Sequence, residues 1–155
     1  MERAFEMKLA VTAILTALTA LWGWFGWLVV LWIICLILDY VTGTILACKT
    51  GVWSSAMARD GIFSKLGSII VVLVTGLADL GLWLIFRYTG YFPFSYTALL
   101  CPIVLSWYIL TEMGSILENA GQLGAPLPAF LVRWIAVLQK RVNQAGDAVV
   151  SATDE

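Results

Sequence analysis

The chain has 155 residues, of which 61% are hydrophobic and only 12% charged. Soluble domains carry about twice that share of charged residues, so the composition favours lipid as the solvent for much of the chain. The net charge of −1 argues against a nucleic-acid partner, and the absence of His excludes catalysis or metal binding by that residue.

The first long uncharged stretch, residues 9–38, is too long for a simple membrane span. Thirty residues form a helix of about 45 Å, whereas the hydrocarbon core is about 30 Å thick. Three tryptophans and two glycines lie in its middle, in the run from Trp22 to Trp27. Because Trp favours the headgroup level and Gly loosens a helix, we predict a hairpin with segments at about 9–21 and 27–48. The first segment is short, so a re-entrant or interfacial element, and hence three spans rather than four, remains an alternative.

Two further stretches are long enough to cross a bilayer. Residues 66–86 carry a single charge, Asp79, and the segment predicted at about 94–117 has no charge before Glu112. Pro126 and Pro128 then interrupt the helical pattern.

A segment with apolar and basic residues at helical spacing follows at 129–143, which is typical of a helix lying in the membrane interface. Its characteristic residues are Phe130, Arg133, Trp134, Leu138, Lys140 and Arg141. Residues 146–155 are small, polar or acidic, and we expect a disordered tail.

These elements predict an all-α integral membrane protein with three to four transmembrane helices, an amino-terminal helical hairpin and a carboxyl-terminal amphipathic interfacial helix. Residues 1–145 would form a single membrane domain. With four segments, eight of the nine Lys and Arg residues lie on one side and only Arg87 on the other. The positive-inside rule therefore predicts a carboxyl end in the cytoplasm. If translation also started at Met7, the shorter protein would lack the charges of Glu2, Arg3 and Glu6.

Polar residues within the predicted spans need an explanation, because a charge at the bilayer centre costs at least about 2.5 kcal/mol. They share helical faces, which must meet each other, another copy or water. The candidates are Asp39, Thr42 and Gly43 in one span, Asp79 in the next, and Glu112, Ser115, Glu118 and Asn119 in the last. Alternatively, Asp39 pairs with Lys49 or Lys65 at the inner interface, and Glu112 and Glu118 are cytoplasmic if the last span ends near Thr111.

Two ordered runs of residues form a specific sequence pattern. The first run is Leu38, Asp39, Tyr40, Val41, Thr42 and Gly43, then Ser54 and Ser55, then Gly61, Ile62 and Lys65. The second is Glu112, Ser115, Ile116, Leu117, Glu118 and Asn119, followed by Leu123, Gly124, Pro126 and Pro128. Together the two runs resemble the phage holin family that includes clostridial toxin-secretion holins. The resemblance covers about residues 27–133.

This resemblance implies a non-enzymatic protein of the bacterial cytoplasmic membrane that forms homo-oligomers and opens a timed lesion. An endolysin or a large toxin would leave through that lesion without direct contact being required. No cofactor or metal is implied. The family's strongly charged tail is missing here, which puts timing by a tail in doubt.

Two other functions compete with this interpretation. A small ion or proton channel would use Asp39 and Asp79, and a structural membrane subunit would use the polar faces only for assembly. Cys35, Cys48 and Cys101 lack Cys-x-x-Cys spacing, so we interpret them as packing residues.

Overall fold

The structure, a computed structural model, describes residues 5–9, 11–13, 16, 23–89 and 98–151. Long helices make up most of these ranges: α1 (Trp24–Thr50), α2 (Ser55–Thr89), α3 (Leu100–Leu123) and α4 (Ala129–Ser151). Residues 5–9, 11–13 and 16 are also helical, and no strand occurs among the described residues. The prediction of an all-α protein is confirmed.

Among the described residues, three helices are long and apolar enough to cross a membrane: Phe25–Thr50, Ser55–Thr89 and Leu100–Leu123. In the apolar windows of these helices, only 11 to 22% of the residues are buried inside the protein. Most of their apolar side chains therefore point outward, which is stable only in a lipid environment. Most of the segment predicted at 9–21 lies outside the described residues.

The amino-terminal hairpin is described along its second arm but at only a few residues of its first arm. Gly23 has a positive φ of 55°, and α1 begins directly after it. This is the region where the sequence predicted a turn, and glycine is the residue that adopts such a backbone at little cost. Residues 17–22 lie outside the described ranges, so the hairpin remains a prediction.

The helices α1 and α2 are longer than the predicted segments, whereas α3 has the predicted length of 24 residues but is shifted toward the carboxyl end. With 35 residues, α2 measures about 52 Å and must extend beyond a hydrocarbon core of about 30 Å. The start of α3 at Leu100 is later than predicted, and its end at Leu123 is six residues beyond the predicted residue 117. Glu112 and Glu118 therefore lie within the helix α3.

Glycines end α1 and α3 in the same way. Gly51 and Gly124 have φ values of 74° and 104°, the left-handed conformation that favours glycine. Beyond each of them a backbone N–H returns to the last turn: Val52 N lies 3.1 Å from Ala47 O, and Ala125 N lies 3.0 Å from Ala120 O. Both helices therefore stop with part of their terminal carbonyls satisfied.

The central helix is α3, which contacts each of the other three long helices. Contacts of Trp32 with Tyr108 and of Lys49 with Leu123 show that α1 runs parallel to it. In contrast, α2 and α4 run antiparallel to α3. A small core lies where α1, α2 and α3 meet; it consists of Trp32, Cys35, Leu36, Val72, Cys101, Leu105 and Ile109.

The amphipathic helix α4 differs from its prediction in length. It continues to Ser151, so the expected disordered tail does not hold for residues 146–151, which are helical. Ala145, Ala148, Val149 and Val150 are compatible with a helix, and Val149 continues the half-buried face. Residues 152–155 lie outside the described part of the chain.

The hydrophobic periodicity of α4 does not predict which helix it packs against. Leu127, just before the helix, is so close to Gly121 that a Cβ at residue 121 would lie 2.9 Å from Leu127 Cδ1. Near the other end of α4, a Cβ at Gly146 would lie 3.9 Å from Ile103 Cγ2. The helix therefore follows α3 along nearly its whole length.

Candidate functional site

A half-buried lysine joins the three apolar helices. Lys65 of α2 donates hydrogen bonds from Nζ to Asp39 Oδ2 of α1 at 2.6 Å and to Glu112 Oε2 of α3. The side chains of Lys65, Asp39 and Glu112 are 21, 14 and 7% exposed. Two carboxylates thus share one cation in the interior, which leaves the ionised trio with one net negative charge.

Two more polar side chains complete this cluster. Asn119 Nδ2 donates to Asp39 Oδ1 at 3.3 Å and to Thr42 Oγ1 at 3.2 Å. The Thr42 hydroxyl in turn donates to the backbone carbonyl of Leu38 at 2.9 Å. We refer to Asp39, Thr42, Lys65, Glu112 and Asn119 as the Lys65 network. Because these bonds are made within one chain, the polar faces predicted from sequence meet each other in the folded monomer.

The helical spacing explains why these residues converge. Asp39 and Glu112 each lie about three turns before the end of their helices, which run in parallel. Lys65 lies about three turns after the start of the antiparallel α2. All three residues therefore lie at the same level of the bundle, where the polar faces of their helices meet.

The Lys65 network borders an open cleft of about 220 Å³ between α1, α2 and α3. Asp39, Lys65, Ser115 and Asn119 supply polar groups to its lining, and Trp53 from the connection between α1 and α2 borders it as well. Water can enter a polar cleft of this size. The cleft lies toward the end of α1 and the start of α2, so the network is open to that side.

Asp79 caps the start of α3. Its carboxylate accepts hydrogen bonds from the backbone N–H groups of Leu99 at 3.3 Å, Leu100 at 3.0 Å and Cys101 at 2.7 Å. The first N–H groups of a helix have no partner inside the helix, and a negative charge there also complements the helix dipole. Asp79 is 5% exposed, and its charge is thus explained by capping a neighbouring helix.

Lys49 binds the other end of α3. Its Nζ donates to the backbone carbonyl of Leu123 at 2.8 Å. A cation at a helix carboxyl terminus complements the negative end of the helix dipole. Of the two partners proposed for Asp39 at the inner interface, Lys65 is therefore the one that the structure supports.

The remaining predicted residues of the helix contacts have different surroundings. Gly43 lies beside Asn119, and Gly61 lies beside the ring of Tyr40. A Cβ at either glycine would make an ordinary contact, at 3.6 Å and 3.5 Å respectively. Glu118 is exposed and makes no contact of the kind that Glu112 makes.

Ser54 and Ser55 lie where α2 begins. The hydroxyl oxygen of Ser54 accepts a hydrogen bond from the backbone N–H of Met57 at 3.1 Å. This is the geometry of an N-cap, which satisfies one of the unpaired N–H groups in the first turn. The loop residues of the family pattern therefore include a helix cap.

The predicted residues of the amphipathic helix divide between two faces of α4. Leu138 is half-buried and shares the inner face with the buried Ile135. The other five are exposed: Phe130, Arg133, Trp134, Lys140 and Arg141.

Sequence reasoning proposed Lys65 as one of two possible partners of Asp39 but missed that Lys65 also pairs with Glu112. It considered Lys49 only as a partner of Asp39 and missed its contact with the end of α3. The cysteines were predicted to pack, and Cys35 and Cys101 are buried, but Cys48 is exposed. Within the described ranges, no group of Cys, Asp and Glu side chains is arranged to hold a metal ion.

Comparisons with known proteins identify the family. Residues 16–140 match the model of the bacteriophage holin family. The chain belongs to the bacteriophage holin family. This match includes the whole Lys65 network, Asp79 and about the first half of α4.

Three curated relatives match a similar share of the chain, and their names state no activity. An uncharacterised protein of Clostridium perfringens (strain 13 / Type A) is 33% identical over 120 residues, which cover 74% of this chain and 77% of the relative. An uncharacterised 14.9 kDa protein in the nagH 3' region of Clostridium perfringens is 34% identical over 109 residues, covering 67% and 70%. An uncharacterised protein of Halalkalibacterium halodurans is 31% identical over 103 residues, covering 66% and 71%. No solved structure shows a significant match to the chain.

Proposed function

We propose that this holin-family protein assembles with copies of itself in the bacterial cytoplasmic membrane and opens a timed lesion. Membership of the bacteriophage holin family is the observation that carries the proposal. An endolysin, or a large toxin, then leaves the cytoplasm through the lesion. Passage requires an opening rather than a binding site, so no direct contact with the cargo is needed.

The distribution of basic residues supports an orientation. Lys49 and Arg59 flank the connection between α1 and α2, and Arg133 follows the connection between α3 and α4. By the positive-inside rule both connections lie in the cytoplasm. In the newly inserted chain, before a lesion opens, the carboxyl end lies there as well.

The Lys65 network supports a stable monomer as the unit of assembly. Its charges are paired within one chain, so a single copy can insert without exposing Asp39 or Glu112 to lipid. Copies then associate through their largely apolar outer faces, where close packing rather than charge pairing provides the contact. Assembly therefore depends on the network indirectly, through the helix arrangement that it holds.

The ion-channel alternative has less support. It assigned a conducting role to Asp39 and Asp79, but Asp39 is paired with Lys65 and Asp79 caps α3. Both carboxylates thus have structural partners.

Expression in a bacterium, with and without an endolysin, tests the proposed function. We expect culture turbidity to fall abruptly after a delay when an endolysin is present, and viability to be lost without lysis when it is absent. A gradual leak of ions without release of a cytoplasmic protein would refute the lesion and support a channel.

A matched pair of substitutions in α3 tests the part played by the network. Glu112→Leu removes a buried partner of Lys65, whereas Glu118→Leu changes an exposed carboxylate six residues later. We expect the first variant to lose lysis and the second to keep it at equal protein levels in the membrane. Equal timing of lysis in both variants would contradict a role for the network.

A further inference from the structure

The outer face of α4 carries a polar stripe at the depth of the membrane. At helical steps of seven, four, three and four residues, it consists of Arg133, Lys140, Gln144, Asp147 and Ser151. All five side chains are exposed, and so is Val137, which lies between Arg133 and Lys140 on the same side of the helix. Most of the five lie opposite the face that packs on α3, which includes Ile135, Leu138 and Val142. Asp147 also borders a cleft between α4 and α3.

The packing of α4 fixes the depth of this stripe. From the contact of Leu127 with Gly121 to that of Gly146 with Ile103, the helix runs beside about 25 Å of α3. Near Gly146 the two helices also share a cleft lined by Trp107, Val142 and Asp147. Because α3 is long and apolar enough to cross the membrane, α4 crosses the same depth if this packing is kept.

Contact of this stripe with lipid would be energetically unfavourable. Each Lys, Arg or Asp near the centre of a span costs about 2.5 to 3.5 kcal/mol. A dry contact with a second copy is also unfavourable. A dry contact between two such stripes would leave cations unpaired, because each stripe holds Arg133 and Lys140 but only one carboxylate, Asp147.

We propose that α4 crosses the membrane beside α3 in the open lesion and that its polar stripe forms part of the water-filled wall. This inference rests on the proposed lesion and adds the surface that lines it. It also places the end of α4 near Ser151 on the outer side of the membrane once the lesion is open.

A disulfide tests the packing of α4. The variant Ile103→Cys/Gly146→Cys, in a background with the exposed Cys48→Ser, places two thiols at the contact between α3 and α4. The single variants Ile103→Cys and Gly146→Cys are the controls for pairing with the native Cys101. The proteins are reconstituted in vesicles of phosphatidylethanolamine and phosphatidylglycerol that contain a trapped folded protein.

We expect the oxidised double variant to lose both introduced thiols to the disulfide and still to release the trapped protein, because α4 stays on α3 in the open state. If oxidation blocks release and a reductant restores it, α4 must leave α3, and the proposal is refuted. If the wild type itself releases no protein, it is the proposed lesion that fails.

A second measurement tests the water-facing side. Gln144→Cys lies on the stripe, whereas Val132→Cys is also exposed but lies on the flank of the same helix. Maleimides react with the ionised thiol, which forms readily only in water, so we expect labelling of the releasing vesicles to be about tenfold faster at residue 144 than at residue 132. Equal rates at the two positions, in protein that releases its cargo, would overturn the assignment of the stripe to the aqueous wall.

Discussion

Removal of the central cation is the sharpest test of the Lys65 network. Lys65→Met keeps the length and most of the apolar stem of the side chain but leaves Asp39 and Glu112 without their shared cation. At 2.6 Å, the attraction between Lys65 and Asp39 is about 6 kcal/mol for an effective dielectric constant of 20. Desolvation of the charges offsets part of this, and removing one partner of a buried pair typically costs about 3 to 5 kcal/mol.

We therefore expect Lys65→Met to lower the free energy of unfolding by about 3 to 5 kcal/mol. The measurement is an unfolding titration of the purified protein in mixed detergent micelles, followed by circular dichroism. Lys49→Met is the matched control, because Lys49 is exposed and contacts only the carboxyl end of α3 among the hydrogen bonds described for it. Its loss should cost about 1 kcal/mol or less.

A double substitution separates charge from packing. In Lys65→Met/Glu112→Gln only Asp39 retains a charge, and Asn119 still donates to it. We expect this variant to recover a large part of the stability that Lys65→Met loses, which a double-mutant cycle would report as coupling between the two sites. If Lys65→Met is no less stable than Lys49→Met, the buried ion pairs do not hold the three helices together and the reasoning is refuted.

Three further predictions concern single side chains. Asp39→Asn keeps an acceptor for Asn119 and should assemble but change the time of lysis, whereas Asp39→Leu should insert and fail to open, as followed by membrane content and turbidity; identical timing in both variants would contradict this. Asp79→Leu removes the acceptor for three N–H groups at the start of α3 and should cost about 2 kcal/mol in the same unfolding titration, while Asp79→Asn, which keeps one acceptor oxygen, should cost less. In the folded protein a maleimide should modify Cys48 and spare Cys35 and Cys101 until detergent unfolds the helices, and equal labelling of all three would show that the core is open.

The sequence by itself determined the class of the protein. Uncharged stretches long enough to cross a bilayer, in a chain with so few charges, leave lipid as the only solvent that can cover them. Two ordered residue patterns pointed to the holin family, and the family match confirmed it. The same periodicity showed that Asp39, Glu112 and Asn119 lie on polar faces, because helical spacing is a local property of the chain.

Only the tertiary structure decided which polar groups meet. Periodicity places a residue on a face of its helix but does not set the direction or the depth of the neighbouring helix. Lys65 reaches Asp39 and Glu112 because α2 runs antiparallel to α1 and α3, and that arrangement also brings Asp79 to the first N–H groups of α3. For the same reason, the amphipathic pattern of α4 predicted a helix with one apolar face, but only the contact between Gly146 and Ile103 showed that this face lies along α3.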